Sequence, residues 1–244
     1  ASERNDPNQY SKMQRLLLKH YAIRADKWVF QTEEAKNWYA NIVNEVKIIP
    51  NAINQEFVTS KLHKGQEDVH TIIAAGRLNK QKNFKLLIDA FDRISITYTD
   101  YILKIFGKGP LEEELRLYAQ SKSSCERIQF CGYVDNMPQQ LVDATLFVMS
   151  SDYEGMPNAL MEAMASGVPC ISTDCPCGGP RYLIRDHYSG LLVPVNDVCG
   201  LAKAMDELLC NVTLRQFIGN NARLIVDTLN PDRIYAEWED FIKS

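Results

Sequence analysis

This sequence has few histidines, a small net charge and only short apolar runs. Its 244 residues include only four histidines, and 27 basic against 31 acidic side chains give a net charge of −4. The longest uncharged apolar runs, such as residues 145–150, are far shorter than the roughly 18 residues of a membrane helix. These absences argue against a membrane-spanning chain and a general nucleic-acid binder, and we expect no nucleic-acid partner. The remaining composition, with 45% hydrophobic residues, is that of a globular protein.

The amino end also lacks the charged, apolar and small-residue order of a signal peptide. Seven cysteines are an odd number for a disulfide framework, so we expect reduced thiols and a cytoplasmic protein. Cys175 and Cys177 form a C-P-C pair, but no second Cys/His pair lies near them in the sequence. We therefore predict no metal site, because free cysteines are more often small buried apolar residues.

Short runs rich in β-branched and aromatic residues alternate with segments of helical period. The predicted strands are 28–31, 46–49, 71–75, 102–106, 128–130, 146–149, 169–172 and 191–193. Several of them are continuously apolar, which is typical of parallel strands covered on both faces. From about residue 70 to 195 the pattern predicts a doubly wound, Rossmann-like α/β domain with a parallel sheet, whose ligands bind at the carboxyl ends of the strands.

A basic helix is predicted at 12–24, where Lys12, Arg15, Lys19 and Arg24 occur without an acidic residue. One interpretation is a helix that lies on an anionic membrane. The favoured one is an internal helix of a further domain, because the chain carries a net negative charge. The two strands within the first 50 residues are too few to close a core of their own.

The segment 150–174 carries the most chemical information. A strand ends at Met149, a loop carries Glu154 and Gly155, and Pro157 suits a first helical position. The N–H groups of residues 158–160 would then lie unpaired in the first turn, which is a suitable site for a diphosphate. Glu162 would face the same crevice and could accept two hydrogen bonds from ribose hydroxyls. The alternative is an ordinary strand-loop-helix unit with solvated glutamates.

Three other strand ends carry comparable features. Gly76 is followed by Arg77 and Lys82, two cations that can bind a diphosphate, although a solvated basic loop would have the same sequence. Gly107 and Gly109 in FGKGP permit a close approach of a ligand to the backbone, or a simple turn.

Tyr133 and Val134 in FCGYVD could hold a flat base, or Tyr133 could be a core residue. All these features follow strands of one predicted sheet, so they converge on one edge.

The order of these motifs, GRL…K, FGxGP, FxGY, EGMPNALMEAMAxGxP, TDCP…GGP and SGLLVP…D, resembles retaining nucleotide-sugar glycosyltransferases of the GT-B fold in glycosyltransferase family 4. The resemblance covers roughly residues 28–244 and is strongest in the segment with the two glutamates. It implies a hexosyl or N-acetylhexosaminyl transfer from a nucleotide sugar, by analogy a UDP-sugar, to a glycan or lipid-linked acceptor. The anomeric configuration would be retained, and no cofactor or metal would be needed.

The resemblance also implies roles for single residues. Arg77 and Lys82 would neutralise the donor diphosphate, and Glu154 would contact the transferred sugar. Glu162 would hold the ribose. The remaining implied donor-binding residues, which act mainly through backbone groups, are Gly76, Gly107, Gly109, Tyr133, Val134, Gly155, Met156, Asn158, Ala159 and Leu160.

Family members carry a complete amino-terminal acceptor domain, and the resemblance divides this chain accordingly. Residues 1–50 would be the remnant of that domain, 51–228 the nucleotide-sugar domain, and 229–244 a helix that crosses back toward the amino-terminal domain. A separate amino-terminal domain or subunit would then be a partner, and peripheral contact with the inner face of the cell membrane is a second expectation. The sequence departs from the family after GGP, where Arg181-Tyr182 replaces the common Arg-Glu. A nucleotide-sugar-binding module without turnover, or one half of a split transferase, remains the alternative.

Overall fold

The computed structural model describes residues 11–22, 24–39, 45–59 and 70–244. The strands in these ranges are β1 (Trp28–Phe30), β2 (Val46–Ile48), β3 (Thr71–Ala75), β4 (Ile102–Phe106), β5 (Ile128–Gly132), β6 (Leu146–Met149), β7 (Cys170–Thr173) and β8 (Leu191–Val193). The helices are α1 (Lys12–Ala22), α2 (Glu33–Tyr39), α3 (Gln55–Thr59), α4 (Phe84–Ile94), α5 (Glu112–Gln120), α6 (Met137–Val142), α7 (Asn158–Ala165), α8 (Gly179–Leu183), α9 (Val198–Cys210), α10 (Val212–Ala222), α11 (Ile225–Thr228) and α12 (Pro231–Lys243). Within the same ranges, no helix is both long and apolar enough to cross a bilayer.

Strands β3 to β8 form one sheet of six parallel strands in the order β5-β4-β3-β6-β7-β8. The chain builds outward from β3 to β5 and then returns to the other side of β3. The predicted doubly wound, Rossmann-like α/β sheet is therefore confirmed. Because the direction of winding reverses between β3 and β6, a crevice is expected beyond the carboxyl ends of these two strands.

Alternate side chains of β3 enter two different cores. Ile72 and Ala74 pack on the face covered by α4 and α9, whereas Ile73 packs on the opposite face, with α7 and α12. Strands β6 and β7 are buried at every residue. Coverage of both faces explains why these strands appear in the sequence as continuous apolar runs.

Strands β1 and β2 form a separate parallel pair. The rings of Trp28 and Phe30 stack at 6.0 Å between centroids, and the buried Tyr39 of α2 lies against both. Helix α12 reaches this unit, because the Lys27 ammonium donates to the Phe241 carbonyl at 2.8 Å. The limits expected for three domains, 1–50, 51–228 and 229–244, stay a prediction.

Four of the predicted strands begin and end as expected, and the other four differ by one or two residues. Strand β7 begins at Cys170 instead of Pro169, since proline has no N–H to donate to the ladder. Strand β5 continues past Phe130 to Gly132 through an irregular register opposite Ile105 and Phe106. Such shifts at element ends are expected, because end residues keep fewer of the regular hydrogen bonds.

Candidate functional site

A cleft of about 640 Å³ lies at the carboxyl ends of β3, β4 and β5, next to the amino end of α7. Eight of the residues that the sequence predicts for a binding site line it, namely Gly76, Arg77, Gly107, Tyr133, Val134, Asn158, Ala159 and Glu162. The topology therefore brings together residues from three separate loops and from the first two turns of α7 at the reversal point of the sheet.

The loops after β3 and β4 are packed backbone against backbone. A Cβ atom on Gly107 would lie 2.0 Å from the Gly76 carbonyl oxygen, and the φ angle of Gly107 is +132°. A side chain at this position would displace the floor of the cleft. Gly109, in contrast, is not among the lining residues, because its close approach is to the Leu78 carbonyl, 2.3 Å from the position of a Cβ. The expectation that Gly109 lets a ligand approach the backbone stays a prediction.

Arg77 offers a free positive charge to this cleft. Its side chain is exposed, and among the described residues no carboxylate or carbonyl accepts a hydrogen bond from its guanidinium. A guanidinium in this state can bind two oxygens of a phosphate at once.

Lys82 and Glu154, which the sequence assigns to diphosphate and sugar, contact each other. The Lys82 ammonium lies 2.5 Å from Glu154 Oε1, and their side chains are 15% and 3% exposed. The fully buried Ser151 hydroxyl donates to the same oxygen at 2.8 Å. Neither partner is among the residues that line the cleft, so the two form a buried ion pair behind its wall.

Several hydrogen bonds fasten the loop that carries Lys82 to the loop that carries Glu154. The Gln81 side chain donates to the Tyr153 carbonyl at 2.8 Å, and the backbone carbonyl of Gln81 accepts a hydrogen bond from the Asp152 N–H at 2.8 Å. The Asn83 side chain donates to Asp152 at 2.7 Å. These contacts hold the ion pair in one geometry.

The amino end of α7 differs from expectation in two respects. Pro157 is an extended N-cap with a ψ of 102° instead of the first helical residue, and its carbonyl accepts the N–H of Leu160 at 3.1 Å. Leu160 therefore has no free N–H for a ligand, contrary to the prediction. In the described part of the chain nothing accepts the N–H groups of Asn158 and Ala159, so these two remain available to an anion.

Gly155, Met156 and Leu160 are buried and absent from the cleft lining. The Met156 and Leu160 side chains belong to the core beneath the sheet edge, because both are apolar and less than 4% exposed. The Gly155 carbonyl is approached so closely by Gly179 that a Cβ on Gly179 would lie 1.6 Å from it. These residues support the loop next to the cleft.

Glu162 lies in the wall of the cleft and is half-buried. Burial, with a smaller effect from the nearby Glu56 carboxylate, raises the pKa of Glu162 above its ordinary value. A half-buried carboxylate in a cleft wall can accept hydrogen bonds from hydroxyl groups.

Some of the residues that line the cleft were not predicted from the sequence. Asn54, Glu56 and Phe57 come from α3 and the segment before it, where no motif stood out. Lys108, by contrast, lies between the two glycines of FGKGP, so the motif itself contained a signal for it.

Cys175 and Cys177 are both buried, and burial raises the pKa of Cys175 to about 12. Over the described ranges there is no group of three His, Cys, Asp or Glu side chains suited to a metal ion.

Comparison with known proteins assigns the chain to a family. Residues 58–225 match the family described as glycosyl transferases group 1. An exopolysaccharide phosphotransferase of Streptomyces coelicolor is 32% identical over 230 residues, which cover 92% of this chain and 24% of that protein.

A second relative is the N-acetylgalactosamine-N,N'-diacetylbacillosaminyl-diphospho-undecaprenol 4-alpha-N-acetylgalactosaminyltransferase of Campylobacter jejuni. It is 31% identical over 181 residues, or 72% of this chain and 48% of that one. The chain thus spans less than two thirds of the length of these relatives.

Among solved structures, a mutant of TarM from S. aureus, crystallised with fondaparinux, alpha-GlcNAc-glycerol and UDP, superposes with a TM-score of 0.88. It is 21% identical and covers 98% of this chain, which corresponds to 48% of TarM. The sheet order and this likeness agree with the carboxyl-terminal domain of a GT-B fold. The chain belongs to the group 1 glycosyl transferase family.

Proposed function

We propose that this chain is the donor-binding part of a retaining glycosyltransferase of family 4. It would transfer a hexose or N-acetylhexosamine from a UDP-sugar to a glycan or lipid-linked acceptor in polysaccharide biosynthesis. The observation that carries the proposal is the presence of Arg77, the free N–H groups at the start of α7, and Glu162 in one cleft. A cation, an anion-binding helix end and a carboxylate match the diphosphate and ribose of a nucleotide sugar.

The diphosphate would lie between Arg77 and the amino end of α7. The Arg77 guanidinium would bind phosphate oxygens from one side, and the N–H groups of Asn158 and Ala159 would donate from the other. Both sources of positive potential act on charge that develops as the diphosphate leaves, so they would stabilise the transition state.

The nucleoside would extend along the cleft from this point. Glu162 would accept hydrogen bonds from the ribose hydroxyls, and Tyr133 and Val134 would border the base. Tyr133 is 69% exposed, which leaves its ring available for such a contact. The same cleft contains Met137, an apolar neighbour suited to a flat base.

The buried Lys82–Glu154 pair would act next to the sugar. An incoming diphosphate would compete with the Glu154 carboxylate for the Lys82 ammonium, and a Glu154 released in this way could accept hydrogen bonds from sugar hydroxyls. The bond from the anomeric carbon to the diphosphate oxygen would break, and the acceptor hydroxyl oxygen would form the new bond on the same face. The proton of that hydroxyl would pass to the leaving diphosphate. This proposal includes retention of the anomeric configuration, the role of Glu154 and independence of metal ions.

Titration calorimetry with UDP tests the binding part of the proposal. Arg77→Ala should weaken UDP binding at least about tenfold, the effect of losing a hydrogen bond to a charged group of about 1.5–3 kcal/mol. Glu162→Ala should weaken the binding of both UDP and uridine. Lys80→Ala and Glu113→Ala remove exposed charges outside the cleft and serve as matched controls that should leave affinity within about twofold.

Absence of UDP binding, or equal losses for Arg77→Ala and Lys80→Ala, would refute this assignment. Addition of EDTA should leave affinity unchanged if the site needs no metal ion.

The alternative function is a nucleotide-sugar-binding module or one half of a split transferase. The chain spans 24% and 48% of the two relatives described above. Transfer assays with the chain alone, and with a separately supplied amino-terminal domain of a relative, distinguish these cases. Activity of the chain alone would exclude the module.

We also propose a cytoplasmic protein with peripheral contact to a membrane through α1. Met13 and Leu16 of this helix are 73% and 70% exposed, and Lys12 adds a positive charge beside them. Sedimentation with vesicles that contain anionic lipid would test this contact, with Met13→Ser/Leu16→Ser as the variant expected to stay in solution.

A further inference from the structure

Three side-chain amides form a hydrogen-bonded relay from the amino-terminal unit, which consists of β1, α2 and β2, to the candidate site. The Gln31 Nε2 group, directly after β1, donates a hydrogen bond to Asn51 Oδ1. Asn51 Nδ2 in turn donates to Asn158 Oδ1 at 2.9 Å. Asn158 is the first residue of α7 and lines the cleft, so the relay ends at the proposed anion site.

The backbone on both sides of Asn51 is fixed. The Ile49 N–H donates to the Phe30 carbonyl at 2.9 Å, which holds the residues next to Gln31 and Asn51 together. The Ile53 N–H donates to the Leu229 carbonyl at 3.0 Å, which anchors the chain after Asn51. The Asn51 amide therefore occupies a defined place between Gln31 and Asn158.

The relay has two possible polarities, because each amide has a donor end and an acceptor end. In the observed polarity, Asn158 Oδ1 accepts a hydrogen bond from Asn51, and Asn158 Nδ2 donates to no side chain or carbonyl in the described part of the chain. In the reversed polarity, Asn158 Nδ2 would donate to Asn51, and Asn158 Oδ1 would face the cleft. A diphosphate is attracted by N–H groups and repelled by a carbonyl oxygen, so only the observed polarity favours it.

We propose that Asn51, oriented by Gln31, is a positioning residue that keeps the Asn158 amide nitrogen directed at the donor diphosphate. This inference rests on the proposed function, since it requires a nucleoside diphosphate in the cleft. It also assigns to the amino-terminal unit an influence on donor binding, because Gln31 lies outside the cleft and two hydrogen bonds away from Asn158.

Gln31→Glu tests the relay with little change of shape. A carboxylate can only accept hydrogen bonds, so Asn51 would have to donate to Glu at position 31 and turn its oxygen toward Asn158. Asn158 would then donate to Asn51 and present its oxygen to the diphosphate. We expect UDP affinity to fall by roughly tenfold and uridine affinity to change by less than about twofold, because only UDP carries the diphosphate.

Glu33→Gln is the matched control for charge. It changes the charge by the same amount two positions away, where the exposed Glu33 pairs with Lys36 at 3.2 Å. A long-range effect of charge would make this variant bind UDP more tightly by a similar factor, whereas the relay predicts no change. Asn51→Asp provides a second acceptor-only side chain and should reproduce the effect of Gln31→Glu.

A double-mutant cycle completes the test. In an Asn158→Ala background the relay has no terminal amide, so adding Gln31→Glu should cause no further loss of UDP affinity. Multiplicative losses in the double variant, or an unchanged ratio of UDP to uridine affinity in Gln31→Glu and Asn51→Asp, would overturn the relay while nucleotide binding stands. A wild-type chain that binds neither UDP nor uridine would overturn the proposed function and the relay together.

Discussion

Replacing Lys82 by methionine is expected to lower the free energy of unfolding by about 3 kcal/mol at pH 7. The Glu154 side chain is 3% exposed, and the hydroxyl of Ser151 would be left as the donor to its carboxylate. A buried charge that loses its partner costs about 3–5 kcal/mol. The double variant Lys82→Met/Glu154→Gln should regain most of the lost stability, because it removes the buried carboxylate together with its partner.

Urea denaturation at pH 7 measures these differences. Lys85→Met is the matched control, because Lys85 pairs with Glu114 at 2.6 Å with side chains that are 44% and 54% exposed. Breaking such a surface pair should cost less than about 1 kcal/mol. If Lys82→Met and Lys85→Met proved equally costly, or if the double variant regained no stability, Glu154 would not be a buried carboxylate that depends on Lys82.

Two further predictions concern the cleft. Burial raises the pKa of Glu162, so the folded protein holds this proton more tightly than the unfolded chain, and wild-type stability should fall relative to Glu162→Gln as pH rises through that window. Thermal unfolding between pH 4 and pH 8 measures this, and parallel profiles would contradict it. Gly107→Ala should lower stability by at least about 1–3 kcal/mol, because its Cβ would lie 2.0 Å from the Gly76 carbonyl oxygen. Gly132→Ala is the control in the same melts, since its φ of +68° is strained but its nearest neighbour lies 3.8 Å away, and an equal loss would remove the steric argument.

Periodicity and strand ends were sufficient to predict the sheet. The apolar runs at 71–75, 102–106, 146–149 and 191–193 became strands with the predicted bounds, because a strand covered on both faces leaves a continuous apolar signal. Convergence of Arg77, Gly107 and Glu162 on one cleft also followed, since parallel strands share a carboxyl edge. Their roles in binding stay a prediction.

Contacts between distant side chains could not be predicted in the same way. The Lys82–Glu154 pair joins residues 72 positions apart, and the bond from Asn51 to Asn158 joins residues 107 apart. No local pattern encodes which of several polar groups at a sheet edge will meet. The Leu160 N–H was misassigned for a related reason, because Pro157 takes an extended conformation and its carbonyl closes the first turn.

The reversal of winding at β3 has a consequence for folding. Strands β3, β4 and β5 are contiguous in sequence and can assemble as a local unit, whereas β6 adds to β3 only after the chain has returned across the sheet. Arg77 and Tyr133 come from the first unit, and Asn158 and Glu162 come from the second. The cleft therefore does not exist until the two halves dock, and a bound nucleotide would bridge them and make their unfolding more cooperative.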